Sequence, residues 1–234
     1  MIIFFANVAL EMSLHKKLFF RTKLIIFAFV MVIACNTASA SSKPVDLVFC
    51  YENKEFIPHF IGNSTIVPRD NPGVVIDILR ELDLVERRVN IKFIRQPWAR
   101  CLKALQSGSV SAVLGSYSAE REKFGVYPTV GNQIDQSRAF ASATTCLLHQ
   151  KSENINWDGE TLKLESALTV AVPRGYSITK KLQNLGFIIY TTDSLDDAHK
   201  LLFFDRVAAS ISDCTFKNFP SFITMNKIPI RNHY

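Results

Sequence analysis

Two serines and one arginine, Ser116, Ser118 and Arg121, follow closely on a short apolar run at 110–115. A guanidinium beside two hydroxyls is a receptor for a carboxylate, because its planar fork donates two parallel hydrogen bonds. Position decides whether such a trio can act. Upstream, Pro97 suits the first position of a helix, and Trp98, Cys101, Leu102 and Leu105 recur at the spacing of one apolar helical face. Gly108 supplies the left-handed stop. Residues 110–115 are too few for a helix and largely apolar, which predicts a buried strand. That strand would carry the trio to its carboxyl end, where open α/β sheets bind ligands.

The flanking chain repeats this grammar. Residues 45–51 read as a first strand, and Asn71-Pro72-Gly73 marks a turn. Val74, Val75, Ile78, Leu79, Leu82 and Val85 define one face of a helix, opposite Asp77, Arg80, Glu81, Glu86 and Arg87. Alternating Val89, Ile91 and Phe93 predict a second strand, completing a βαβαβ unit with parallel strands and right-handed crossovers. Residues 138–150 are extended. A second βαβαβ follows: strand 168–173, helix 176–185, strand 187–190, a helix capped by Ser194, and strand 207–212. The expected fold is therefore α/β, with two lobes at 43–134 and 135–234, each a mostly parallel sheet flanked by helices. Lobes joined by crossing strands form a cleft that closes by hinge motion.

The first 40 residues read as an address. Lys16, Lys17, Arg21 and Lys23 precede an apolar stretch at 24–34, and Ala38-Ser39-Ala40 offers a cleavage site for a signal peptide. The stretch falls short of the roughly 20 residues a spanning helix needs. Met12 is an alternative start to Met1, and a lipoprotein box ending at Cys35 is an alternative to cleavage after Ala40. The formal charge of +6 owes much to this leader. What remains has no basic run, which argues against nucleic acid as a partner. Four further cysteines, Cys50, Cys101, Cys146 and Cys214, permit two disulfides in an exported protein. Of three pairings, Cys50–Cys101 with Cys146–Cys214 keeps each bridge within one lobe; plain buried thiols are the other reading. No C-x-x-C and no histidine cluster at ligand spacing occurs, so neither metal nor cofactor is assigned.

In order and spacing, several motifs resemble bacterial extracellular solute-binding proteins of family 3, the type II periplasmic binding proteins of ABC importers. They are Gly73-Val74-Val75-Ile76-Asp77, Leu105-Gln106-Ser107-Gly108, the run from Ser116 to Arg121, Gly125 through Pro128, Arg174-Gly175-Tyr176-Ser177, and Arg206-Val207 leading to Asp213. The resemblance spans 45–234 and implies a monomeric periplasmic protein that hands an amino acid or related carboxylate to a membrane permease. Arg121 would grip the solute carboxylate, with Ser116 and Ser118 beside it. Gly175, Tyr176 and Ser177 would cradle the same group from the second lobe, and Asp213 would accept an ammonium. Tyr51 and Trp98 would wall the pocket, while Arg100 would enter it or face solvent. Two departures stand out. Ser111 replaces the family's usual aspartate, and the return strand and C-terminal helices have no counterpart before Tyr234, which predicts exposed apolar surface on the first lobe. Alternatives are a truncated remnant without transport function and a periplasmic dehydratase using Glu52, Glu55 or Asp213 as the acid.

Overall fold

A computed structural model describes residues 2–5, 43–141, 143–150, 155–157, 162–163, 167–215, 217 and 225–230. The apolar stretch at 24–34, Cys35, the Ala38-Ser39-Ala40 site and Met12 lie outside them. Within the segment read as leader, β1 (Ile2–Phe5) pairs antiparallel with β4 (Ala112–Gly115) at the edge of the first sheet. An open strand edge presents unpaired N–H and C=O groups, and a short apolar segment satisfies them.

The first lobe is built on β2 (Val45–Glu52), flanked in parallel by β3 (Val89–Gln96) and β4, giving the order β1-β4-β2-β3. Alternation along β2 divides its side chains between two layers. Phe49 and Tyr51 pack with Val75, Ile76 and Leu79 of α1 (Val74–Val85). Cys50 packs with Trp98, Cys101 and Leu105 of α2 (Trp98–Gln106). Pro97 caps α2 rather than opening it, and Gly108 takes the positive φ of 71° expected of a stop. The α1 face is narrower than its pattern implies. Ile76 is buried, whereas Val74, Ile78, Leu82 and Val85 stand 43–74% exposed. The sheet touches one edge of the apolar stripe and leaves the other in solvent, so the first lobe does expose apolar surface.

A small hairpin of β5 (Thr129–Val130) and β6 (Gln133–Ile134) follows. Ala139 and Phe140 still pack against first-lobe clusters, and the chain enters the second sheet at β7 (Thr145–Gln150). After the short ladder of β8 (Asn156–Trp157) and β9 (Leu162–Lys163) comes the second βαβαβ. It comprises β10 (Thr169–Pro173), α3 (Ile178–Asn184), β11 (Ile188–Thr192), α4 (Leu195–Phe203) and β12 (Ala209–Asp213). With β13 (Met225–Pro229) the order is β11-β10-β12-β7-β13, and β7 runs antiparallel to both of its neighbours. Ser194 caps α4, its Oγ accepting from the Asp197 amide at 3.1 Å. Disulfides join Cys50 to Cys101 and Cys146 to Cys214, with Cα separations of 5.5 and 5.0 Å. The second bridge ties the start of β7 to the residue after Asp213.

Candidate functional site

Where the two sheets face each other lies a cavity of about 100 Å³ lined from both sides. The first lobe contributes Glu52, Phe56, Phe60, Trp98, Ser116 and Arg121, and the second contributes Thr145, Tyr176, Ser177, Ser212 and Asp213 among others. Several of the polar members sit at element ends. Glu52 ends β2, Ser116 follows β4, Ser177 precedes α3, and Asp213 ends β12.

Arg121 is 6% exposed, which excludes a surface ion pair with its neighbours. Glu120 instead meets Lys180 at 2.9 Å, and Glu122 accepts from the Tyr117 hydroxyl. The Arg121 fork donates through Nη1 to the Ser116 carbonyl at 2.8 Å and through Nη2 to the Gly175 carbonyl at 2.9 Å. Its guanidinium lies 5.4 Å from the Trp98 ring centroid, a cation–π arrangement. Burial pulls its pKa down, and Tyr127 opposes that shift. A guanidinium carries five N–H donors, so two carbonyl bonds and a side-chain bond with Tyr127 leave two for a further acceptor.

Asp213 holds one carboxylate oxygen in a local turn, accepting at Oδ1 from the amide and hydroxyl of Thr215 at 2.7 and 2.5 Å. Glu52 is 7% exposed; burial raises its pKa to about 7, against the opposing pull of a hydrogen bond from Tyr176 and the charges of Lys54 and Arg95. The Tyr176 hydroxyl donates to Glu52 Oε2 at 3.2 Å across the lobes, and burial drives the phenol pKa far up.

Other bonds between described residues also span the lobes. Trp98 Nε1 donates to the Gly175 carbonyl at 3.1 Å, Arg121 shares that acceptor, and Lys180 pairs with Glu120. A Cβ on Gly175 would lie 3.2 Å from Leu102 Cδ1 and 3.4 Å from Trp98 Cδ1. The second-lobe turn is thus seated directly on α2.

Of the residues read from sequence, the structure brings Ser116, Arg121, Trp98, Tyr176, Ser177 and Asp213 around one cavity. Ser118, Gly175 and Tyr51 do not line it. Ser118 precedes the 3₁₀ turn Ala119–Lys123, and Gly175 acts through its carbonyl. Tyr51 is 1% exposed in the α1 layer, because strand alternation turns it away and gives the cavity Glu52 instead. Glu55 is exposed, accepting from the Gly62 amide, and Arg100 is exposed as well. The largest omission is Arg95. It is 4% exposed, donates to the carbonyls of Glu52, Ile61, Gly62 and Ile66, and stacks 5.0 Å from the Tyr51 ring centroid. It thereby pins the loop that carries Phe56 and Phe60. A signal for it exists in the sequence: 95 continues the inward register of Ile91 and Phe93, an odd place for a cation. Among the described residues, no group of three metal-ligating side chains gathers.

Neither a family model nor a curated protein sequence matches the chain. Solved structures do. An ancestral arginine-binding protein bound to arginine matches at TM-score 0.52 and 19% identity, covering 73% of this chain and 70% of that one. The amino acid ABC transporter substrate-binding protein AbpA from Streptococcus pneumoniae, bound to L-arginine, matches at TM-score 0.53 and 16% identity, with 72% and 67% covered. An ancestral amino acid-binding protein, a precursor of cyclohexadienyl dehydratase, reaches 0.55 and 19% identity, with 79% and 78% covered. The fold is that of the two-lobe periplasmic binding proteins.

Proposed function

We propose that this protein captures a small polar solute, an amino acid or related carboxylate, between its two lobes and presents it to an ABC-type permease in the inner membrane. The observation that carries the reading is the meeting of Arg121 and Asp213, one from each lobe, around one cavity. A zwitterion needs a cationic and an anionic partner, and burying it without both is prohibitive. Arg121 keeps two donors for a carboxylate, and Asp213 one oxygen for an ammonium. Charge-assisted bonds contribute about 1.5–3 kcal/mol each, so the pair accounts for much of a micromolar affinity of about 8 kcal/mol. Because the charges sit on different lobes, solute bridges them only in the closed form, and closure is what a permease would read. The neighbours' amino acid ligands support this reading, and the leader read from sequence supports a periplasmic location. The lobes are taken as 43–134 and 135–234, and the protein as a monomer.

The test is a thermal-shift screen of the twenty amino acids, followed by calorimetry on those that stabilise. One chemical class should bind, and Arg121→Ala and Arg121→Lys should both lose most of that affinity, since lysine keeps the charge but not the fork. Undiminished binding in Arg121→Lys would remove the carboxylate assignment. One observation favours a second reading: Glu52 is a buried acid with its pKa near neutrality, as a general acid requires. Turnover of a cyclic carboxylate, lost in Glu52→Gln, would establish a dehydratase.

A further inference from the structure

We infer that Glu52 serves the cleft as a neutral carboxylic acid, donating a hydrogen bond to an oxygen on the side chain of a solute that carries no net charge. The inference rests on the solute-capture reading and names the substrate class for that site. It starts from an asymmetry between the two carboxyl oxygens. Oε2 already accepts from Tyr176 across the lobes, while Oε1 is buried with no hydrogen-bond partner among the described residues. A buried carboxylate oxygen left unpaired is costly, whereas the same oxygen carrying a proton becomes a donor looking for an acceptor.

The surrounding charges point the same way. Lys54 and Arg95 act on Glu52 only through space: among the described residues neither bonds its carboxyl, and the Arg95 fork is spent on backbone carbonyls. From the other elements around the cavity come Arg121, with Trp98 at its face, and Asp213, whose charge also reaches His59. Arg121 and Asp213 balance each other within the lining. A neutral Glu52 preserves that balance when a zwitterion enters. An ionised Glu52 would leave one uncompensated negative charge unless the solute brought a second cation. The small cavity adds a size limit, being well under the roughly 300 Å³ at which drug-sized sites begin. The substrate class is therefore a compact zwitterion bearing an amide, hydroxyl or carbonyl oxygen.

The linkage has a definite sign. Before solute enters, burial lets the carboxyl hold its proton up to about pH 7, above the ordinary 4.5. A solute oxygen that accepts from that proton raises the pKa further, so binding is full below 7 and weakens as pH rises above it. From pH 8 to pH 6 the affinity for an oxygen-bearing solute should rise about tenfold, with net proton uptake on binding at pH 8.

The experiment titrates the full chain with L-glutamine, L-serine, L-valine and L-arginine at pH 6 and pH 8, in two buffers of different ionisation enthalpy. A parallel infrared measurement at pH 6, without solute, looks for a protonated carboxyl band that disappears in Glu52→Gln. Glutamine or serine should bind more tightly than valine or arginine, gain about tenfold on acidification and take up a proton on binding at pH 8. Glu52→Gln, which keeps a donor but cannot titrate, should bind the same solute with no such pH dependence, while His59→Gln should leave the dependence in place. Tighter arginine binding with proton release would overturn the inference by making Glu52 an ionised cation receptor. So would absence of the infrared band. The band present with none of the four solutes bound would instead defeat the capture reading while upholding the neutral acid.

Discussion

Replacing Gly175 by alanine separates what belongs to the second lobe from what belongs to closure. Gly175 has φ of 83°, a conformation an L side chain adopts at a cost of about 1–2 kcal/mol. That cost is local and lowers lobe stability whether the cleft is open or closed; about 1 kcal/mol would shift Tm by about 2–4 °C for a chain of this size. The new Cβ adds a second cost only when the lobes meet. It would approach Leu102 Cδ1 to 3.2 Å and Trp98 Cδ1 to 3.4 Å, inside the usual 3.5–4.0 Å carbon contact. Mild overpacking of this kind costs about 1 kcal/mol, roughly a fivefold weakening of closure. Gly186 is the control, with φ of 92° and open space for 4 Å around the point where a Cβ would stand. Gly175→Ala and Gly186→Ala should lose similar stability in urea denaturation, while only Gly175→Ala should lose solute affinity and compactness by small-angle scattering. Equal affinity in the two variants would refute the claim that the second-lobe turn seats on α2 during closure.

Other substitutions address the scaffold. Arg95→Met should destabilise by about 2–3 kcal/mol in urea, because it strips charge-assisted bonds from buried loop carbonyls, and should weaken solute binding through the loop carrying Phe56 and Phe60. Reduction should lower Tm markedly: bridges spanning separations of 51 and 68 residues each contribute about 4 kcal/mol by chain entropy. Opening Cys146–Cys214 alone should also loosen Asp213, its chain neighbour, and so reduce affinity by calorimetry beyond the loss seen on opening Cys50–Cys101. Ser194→Ala should cost about 1 kcal/mol in thermal melts by removing the α4 cap, with affinity unchanged.

The two βαβαβ units are legible in the sequence because their signals are local. Period and punctuation place α2, its Gly108 stop, the buried β4 and the Ser194 cap close to where they stand. The antiparallel role of β7 is not legible, since an extended segment reads alike in either direction and only pairing partners decide. The α1 face differs from its pattern for a related reason: apolar spacing reports what can be buried, and the sheet determines how much is. In the site, polar residues at element ends are visible from sequence and those governed by strand alternation are not. Tyr51 and Glu52 are adjacent, and a single step along β2 decides which one meets the cavity. Arg95 shows in the sequence only as a cation in an inward register, and its role is hidden because its partners are backbone carbonyls, which leave no trace in side-chain spacing.

A double-mutant cycle by titration calorimetry on Arg121→Lys and Asp213→Asn, using whichever amino acid stabilises the wild-type chain, tests the two-lobe grip most directly. If both charges hold one solute, each single variant should lose most of the binding and the double variant little more. Losses that simply add, or a wild-type affinity retained by either single variant, would contradict it.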